Sequence, residues 1–487
     1  MIVIGLDIGT TGTKALAIDE RGTILGRGYR EYGLHAGAAG EVTQDAEDWW
    51  EAVVAAVRAA ISGLDASSVT AMGLSTQGAS MLAVDPNGRP LCPAITWMDR
   101  RAGREAVLLG ERLGEESFYQ KSGWALSATL DAAKILWLRR CRPEVFQQAA
   151  SFVSTLEFVN FRLTGRAVID PTNAAIRQLM DIRTGRWDGE ILETLGITED
   201  RLPSLLPAGE PVGTLTPSAA DALGLSPSVR VYNGAHDQYC AALGSGAVHI
   251  GDMLLATGTT WVVLGVTEQP LYTLSHISPG VHPAGGYGAM ASLVSAGSSL
   301  KWFKNLIGSD FAQMDRGAEE RMQSAAGLLV YPYLAGAGFP HGKPDARASI
   351  VGLELRHDRY DLARAFMEGV AFETRLALEE FSRHGLTVSR LRMTGGAARS
   401  RVWSEIVGCV TGCEILRMRE PETCCVGAAL LASVGAGWWK DYAEGASALV
   451  REEPLASPDA GMVDFYQEKA FAYSRHLPLK GGKEGTP

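Results

Sequence analysis

The chain lacks what would place it in a membrane, on nucleic acid or in a disulfide scaffold. No apolar run approaches the roughly 18 residues that a membrane helix needs. No basic run exceeds Arg100-Arg101 or Arg139-Arg140, and the net charge is −10, which argues against a nucleic-acid face. Seven cysteines are scattered over 487 residues. Their number is odd, and no Cys-x-x-Cys pair or nearby His completes a zinc pattern, so free thiols in a reducing cytoplasm are expected. The opening MIVIGLDIGT has no basic segment ahead of its apolar run, and Asp7 interrupts that run. No signal peptide is expected.

What is present is the balance of a globular protein, with 46% hydrophobic and 21% charged residues. The length exceeds what one core serves, so two or more domains follow. Residues 2–7, 13–19 and 23–31 read as short strands of an antiparallel meander. Residues 46–64 carry Trp50, Val53, Val54, Val57 and Ile61 at helical spacing, with Asp45 as N-cap. A strand is expected at 69–75, a hairpin around Pro86-Asn87-Gly88, helices from about 101 to 165, and a buried strand at 230–233. Residues 251–268, GDMLLATGTTWVVLGVTE, then repeat the opening theme of strand, Gly/Thr turn and strand. Two such hairpins about 250 residues apart suggest two domains of related fold with a ligand between them. The boundary is placed at 245/246, giving domains 1–245 and 246–475. Further helices are expected at 296–307, 361–384 and 399–412, and residues 476–487 are read as a flexible tail.

The stretch Asp7-Ile8-Gly9-Thr10-Thr11-Gly12-Thr13-Lys14 allows two readings. Glycines at 9 and 12 let backbone N–H groups approach an anion, Thr10 and Thr11 add hydroxyls, and Lys14 adds charge. Asp7 at the end of a buried strand is costly unless compensated, and a magnesium ion held through water would compensate it. An ordinary turn with a capping Asp is the other reading. Thr257, Gly258 and Thr259 offer a second such turn without an acid. Gly395, Gly396 and Ala397 lie between a strand and a helix, where a ring or phosphate can approach backbone, or where strand and helix simply pack tightly. Asp237, among glycines and alanines, is either a base for a hydroxyl proton in phosphoryl transfer or an N-cap for the helix near Gln238. His236 beside it is a weaker candidate base. Gln77, Gly78, Trp97 and Asp99 sit at polar ends of apolar strands and could bind a small polyol, or serve as caps and ion pairs.

Together these segments resemble the FGGY carbohydrate kinases, within the wider superfamily of sugar kinases, actin and heat-shock chaperones. The resemblance runs from about residue 3 to 435. It rests on the Asp7–Lys14 loop, VTQDAEDWW, ITWMDRRA, KILWL, GAHDQ, TGTTW, TGGAARSRVW and VGAALLA. It implies two ribonuclease-H-like α/β domains, each a five-stranded mixed sheet flanked by helices, with a cleft between them. It further implies ATP as donor, Mg²⁺ at Asp7, phosphate turns at Thr10-Thr11 and Thr257-Gly258-Thr259, and an adenosine turn at Gly395-Gly396-Ala397. Asp237 would be the base, with Gln238 beside it in the sugar site. A homodimer is also a family expectation.

The overall pattern resembles the xylulokinase branch most. Yet that branch usually has Gln-Met-His-Gly where this chain has Gln77-Gly78-Ala79-Ser80. Gly and Ala in place of two large side chains predict a widened or reshaped pocket and a different, larger or branched sugar. Glycerol- or erythritol-like kinases, and a non-enzymatic nucleotide switch of the actin type, are the alternatives.

Overall fold

The structure is a computed structural model and describes residues 1–479 apart from Gln323. The apolar run IVIGLDI forms the strand Ile2–Ile8, buried on both faces. Gly12–Asp19 pairs antiparallel with it, and Ile24–Glu31 pairs antiparallel with that. The third strand alternates half-buried and exposed residues, so only one face is covered. Covering it is the helix Ala46–Ala60, whose N-cap Asp45 accepts the Glu47 N–H at 2.9 Å. The helix presses close because Gly28 has no side chain. A Cβ there would lie 1.8 Å from the Ala56 carbonyl oxygen.

Val69–Thr76 runs parallel to the first strand, and Arg230–His236 runs parallel to Val69–Thr76. Pro211–Thr214 adds an antiparallel edge, which makes six strands. The second half repeats this plan. Met253–Thr257, Trp261–Thr267 and Tyr287–Leu293 form the meander. Arg390–Gly395 and Glu414–Met418 extend it in parallel. Ser278–Val281 and Glu452–Ala456 are added edges, for seven strands. Each half thus contains the expected five-stranded mixed core, with the same order and hydrogen-bond sense. The extra strands extend the sheets antiparallel beyond this core.

One local expectation is met and one is corrected. The hairpin around Pro86-Asn87-Gly88 forms, with antiparallel bridges Val84–Pro90 and Met81–Ile95, and Leu82–Val84 also pairs antiparallel with Ser151–Val153. The turn itself forms, with both Asn87 and Arg89 N–H groups donating to Asp85. The strand expected at 230–233 continues to His236, so GAH belongs to the sheet. Of the tail expected at 476–487, residues 480–487 lie outside the described residues. Among the described residues no helix is long and apolar enough to cross a membrane.

The two sheets are joined by two crossed helices, Asp237–Gly244 and Thr423–Gly435. The crossing is a mutual glycine contact. A Cβ on Gly244 would lie 1.9 Å from the Thr423 carbonyl oxygen, and a Cβ on Gly427 would lie 1.9 Å from that of Cys240. Thr423–Gly435 follows the second sheet in sequence but lies against the first one. There Gly5 and Gly73 admit its Cys425 and Ala428 carbonyls, each about 2.0 Å from where a Cβ would sit. One apolar cluster therefore spans both halves, with Val3, Leu16 and Tyr232 from the first and Leu254, Leu264 and Val426 from the second. The halves share a core, which fixes how their cleft-facing ends meet.

Gly427→Ala tests this packing, because helix propensity and tertiary contact predict opposite signs. Propensity alone would stabilise by about 1 kcal/mol. Backbone overlap at the crossing should outweigh it, for a net loss of about 2 kcal/mol in denaturant unfolding. An unchanged or raised midpoint would contradict the shared-core account.

Candidate active site

Most of the expected site residues lie in turns or at strand and helix ends; Trp97 is in a turn that reaches Thr10, Lys14 is the third residue of its strand, and Asp99 is fully buried. Asp7 is next to last in the strand Ile2–Ile8 and pairs in register with Lys14 and Ser75. The Ser75 hydroxyl donates to Asp7 Oδ1 at 2.8 Å. Burial, and then the neighbouring Asp237 carboxylate, push the Asp7 pKa up to about 7. Two carboxylates are thus close together with little to neutralise them.

The first turn, residues 9–12, closes with the Gly9 N–H donating to the Gly12 carbonyl at 3.1 Å. Tyr32 Oη donates to the Gly9 carbonyl at 2.5 Å. Gln44 Nε2 donates to the Thr10 carbonyl at 2.7 Å, and Trp97 Nε1 to Thr10 Oγ1 at 3.0 Å. Thr11 is exposed. Lys14 does not point freely into the turn, because its Nζ is 2.5 Å from Glu422 across the cleft. Burial lowers its pKa, but the Glu422 partner more than offsets that and holds it above the ordinary lysine value. Arg27 pairs with Glu420 alongside, so two ion pairs bridge the halves here.

The second turn is tied to the glycine pair. Thr257 Oγ1 donates to the Thr394 carbonyl at 2.5 Å and accepts the Ala397 N–H at 3.1 Å. The Gly396 N–H donates to the Thr257 carbonyl at 2.9 Å. Gly395 has φ of 89°, the left-handed region, and a Cβ there would lie 2.7 Å from the Thr257 carbonyl oxygen. Only glycine suits both demands. Gly258 and Thr259 remain exposed. A cavity of about 400 Å³ opens beside Gly395, with Arg399, Arg417 and Arg419 in its wall.

Asp237 is the first residue of its helix, and the N-cap is His236. The His236 Nδ1 accepts the Gln238 N–H at 3.3 Å. The capping duty that Asp237 might have had is therefore done by its neighbour. The Asp237 side chain stays 28% exposed, enough to meet a ligand. The His236 N–H is fixed by donation to Thr172 Oγ1 at 2.8 Å, and the Asp170 carboxylate accepts from the Thr172 hydroxyl at 2.5 Å.

At the QGAS segment the expected pocket was widened or reshaped, and the packing around Gly78 bears on which. The space freed by Gly78 is not open. A Cβ there would lie 2.4 Å from His236 Cδ2 and 3.1 Å from Ile176 Cγ2. Ala79 is buried with Leu130 and Ile176, and Trp124 packs on them. The pocket is reshaped and refilled, not simply widened. Ala79 has φ of 50°, a strained left-handed conformation for a residue with a Cβ. Its carbonyl is held by Lys134 Nζ at 2.6 Å. Lys134 is fully buried, which lowers its pKa to about 8 against the pull of Asp131.

Gln77 is 1% exposed, and its Nε2 donates to Gln44 Oε1 at 3.0 Å. Its own Oε1 has no partner among the described residues, and neither has Gln238 Oε1. Asp99 is placed differently. It is fully buried, and its carboxylate accepts from the Val42 N–H at 2.7 Å and from the Arg101 guanidinium. Burial raises its pKa, but these bonds more than offset that and hold it below the usual carboxylate range. Asp99 therefore braces its own turn. Gln44, Ser75, Lys134 and Glu422 support the site without having been singled out from sequence. Gln44 and Lys134 were visible inside the VTQDAEDWW and KILWL segments, and Ser75 ends the strand expected at 69–75, while Glu422 had no local signal.

Comparison with known proteins agrees with this geometry. Residues 2–244 match the model of the FGGY family of carbohydrate kinases, N-terminal domain, and residues 253–436 match the C-terminal domain of the same family. A xylulose kinase of Bacillus subtilis (strain 168) is 29% identical over 476 residues, 96% of this chain and 94% of the relative. A gluconokinase of the same organism is 28% identical over 452 residues, 89% of this chain and 88% of the relative. The crystal structure of a xylulose kinase from Rhodospirillum rubrum superposes with a TM-score of 0.90 at 27% identity, covering 98% of this chain and 99% of that one. The chain belongs to the FGGY family of carbohydrate kinases. It is an ATP-dependent carbohydrate kinase, which sets aside the non-enzymatic switch.

The Asp7 environment makes a stability prediction. With the folded pKa near 7 and an unfolded value near 3.8, the folded state binds the proton more tightly, so this group costs stability as pH rises from about 4 to 7. Asp7→Asn keeps the acceptor for Ser75 and removes the charge. The variant should melt higher than the parent at pH 8, and the gain should shrink towards pH 5. An equal or lower melting temperature at pH 8 would contradict the crowding of the two carboxylates.

Proposed function

We propose that this kinase transfers the γ-phosphoryl group of Mg-ATP to a hydroxyl of a small ketose or polyol, in a xylulokinase-like reaction with Asp237 as general base. The observation that carries this is the placement of Asp237, whose carboxylate lies 3.3 Å from His236 Nδ1. It starts a helix that another residue caps, it is part-exposed in the cleft, and it lies close enough to Asp7 to raise its pKa. The sugar would lie on the 1–245 side, against Gln77, Gly78, Gln238 and Trp97. The nucleotide would lie on the 246–475 side, with Gly258 and Thr259 at its phosphates and Gly395, Gly396 and Ala397 beneath its nucleoside. Thr10 and Thr11 would face the phosphates from across the cleft.

Asp7 fits a magnesium ion. Ser75 occupies one of its oxygens, and Lys14, the nearest cation, is engaged by Glu422. Among the described residues no group of three or more His, Cys, Asp or Glu could hold a metal ion, so phosphate oxygens and water would have to complete the shell around an ion at Asp7. Bound there, the ion would neutralise charge on the β- and γ-phosphates.

In the transfer, the sugar hydroxyl gives its proton to Asp237, its oxygen attacks the γ-phosphorus, and the bond to the β-phosphate oxygen breaks to leave ADP. Thr10, Thr11 and Thr259 orient the phosphates, and the closed cleft keeps water from competing as acceptor. Lys14 enters as part of the interdomain pair with Glu422, and Asp99 as the brace of Val42 and Arg101. Xylulose and gluconate are natural first substrates to test, because relatives that act on them share this plan.

Asp237→Asn should cut sugar-dependent ADP release by about a thousandfold while calorimetry shows ATP binding unchanged. Retained turnover would overturn the base assignment, and lost nucleotide binding would show that Asp237 acts on the phosphates instead.

A further inference from the structure

We propose that Tyr119 is a positioning residue. Its hydroxyl docks the segment Tyr272–Ile277 of the second half onto the first half, and this docking holds Trp124 against the Gln77–Ser80 segment that borders the acceptor. The inference rests on the kinase reading above. It adds a link from the nucleotide half to the sugar half that is separate from the helix crossing.

The link starts at an excursion of the chain. Between the strands Trp261–Thr267 and Ser278–Val281, residues 268–277 leave the second sheet and reach the helix Glu115–Ser122 of the first half. Tyr119 lies on that helix and is 1% exposed. Its Oη donates to the Ile277 carbonyl at 2.5 Å and accepts the Thr273 N–H at 3.2 Å. One hydroxyl thus serves two backbone groups of the other half. Tyr272 Oη adds a bond to the Gln120 carbonyl at 2.9 Å, and the Tyr272 and His276 rings meet the Tyr119 ring edge-on.

The excursion is bent to make this fit. Thr273 Oγ1 accepts the Ile277 N–H at 3.0 Å. His276 has φ of 59°, a left-handed conformation that is costly for a residue with a Cβ. Ser275 Oγ ties the bend back to its own half by donating to Glu380 at 2.9 Å.

The docked helix ends where the acceptor side begins. The Gly123 N–H donates to the Tyr119 carbonyl at 2.8 Å and closes the last turn. Gly123 has φ of 76°, and a Cβ there would lie 2.4 Å from the Pro279 carbonyl oxygen of the second half. Trp124 follows directly. Its N–H donates to Ser122 Oγ at 3.2 Å, and its carbonyl accepts from Gln178 Nε2 at 3.3 Å. Its ring packs on Ala79, Leu130 and Ile176, and also on the core shared by both halves. Each step from Ile277 to Ala79 is therefore a contact, through Tyr119, Gly123 and Trp124.

The consequence is a preorganised wall. Sugar meets an ordered Trp124 only when Tyr272–Ile277 is docked, so its apparent affinity scales with the docked fraction. Removing the Tyr119 hydroxyl takes this partner from the Ile277 carbonyl and the Thr273 N–H, which lowers that fraction. The turns at Thr257 and Gly395 make none of these contacts, so nucleotide binding should not follow.

The test compares the parent with Tyr119→Phe, which keeps the ring, with Gly123→Ala, which presses on Pro279, and with Tyr473→Phe. Tyr473 is a control for a lost buried hydroxyl, since it donates to Glu373 within the second half. Turnover is measured with Mg-ATP and a panel of pentuloses, hexuloses, polyols and aldonates, and sugar binding without nucleotide by calorimetry. Tyr119→Phe should raise the Kd and KM of the best sugar about tenfold, with the KM of ATP and kcat at saturating sugar as in the parent. Gly123→Ala should give the same split from the other side of the contact. Tyr473→Phe should melt lower with an unchanged sugar KM. Parent-like sugar Kd and KM in a folded Tyr119→Phe would overturn the proposal, as would an equal rise in the KM of sugar and ATP, the same sugar effect in Tyr473→Phe, or a parent that binds no sugar of the panel. Should Tyr119→Phe fail to fold, Gly123→Ala decides by the same criteria. Sugar binding that weakens in Tyr119→Phe, without phosphorylation of any sugar by the parent, would sustain this inference and sink the kinase reading. Sugar phosphorylation by a Tyr119→Phe protein indistinguishable from the parent would do the reverse.

Discussion

The glycine-to-backbone crossing of the helices Asp237–Gly244 and Thr423–Gly435 is the constraint on which the site depends. Each helix extends from the sheet of one half and buries itself in the core shared by both. With no Cβ at Gly244 and Gly427, the backbones approach as closely as carbonyl and helix surface allow. Asp237 opens the first helix, while Glu422, the partner of Lys14, directly precedes the second. The general-base candidate and the interdomain ion pair are therefore set by one packing event. Rigid placement of this kind is what an enzyme needs where small displacements cost large factors in rate.

The same crossing concentrates negative charge in a poorly solvated place. The Asp237 carboxylate lies close enough to Asp7 to oppose its ionisation, and Ser75 is the side chain that hydrogen-bonds Asp7. The buried thiols of Cys240, Cys424 and Cys425 feel it too. Burial first, and these carboxylates second, push the Cys424 thiol well above its ordinary range. Such thiols stay protonated and act as small apolar packing groups. The magnesium ion proposed at Asp7 would offset this charge.

Much of the fold was readable before the structure because its signals are local. The apolar strands around Asp7 and Thr257, the Asp45 cap and the small-residue helix Thr423–Gly435 each announce themselves within a few residues. The strand end at His236 was missed because GAH reads as a loop, whereas Gly234 is there to let the strand pass the Leu74 carbonyl. Partners brought together by the fold were invisible. Lys14 meets Glu422 from 408 positions away, and a charged residue in a phosphate-like turn gives no hint that it is already paired. The QGAS departure was noticed, but its consequence was not readable, since His236 refills the gap from a distant segment. For Asp99 the sequence left a polyol ligand and a cap or ion pair both open, because its partners are set by the fold; Arg101 and the Val42 N–H both reach it.

The central claim is that this cleft hands a phosphoryl group to a sugar hydroxyl and not to water. Product analysis by phosphorus NMR, with Mg-ATP and each sugar of a ketose, polyol and aldonate panel, tests it most directly. The account predicts one or a few phosphorylated sugars formed mole for mole with ADP, and little free phosphate when sugar is omitted. Free phosphate as the main product, with no phosphorylated sugar from any acceptor, would contradict it.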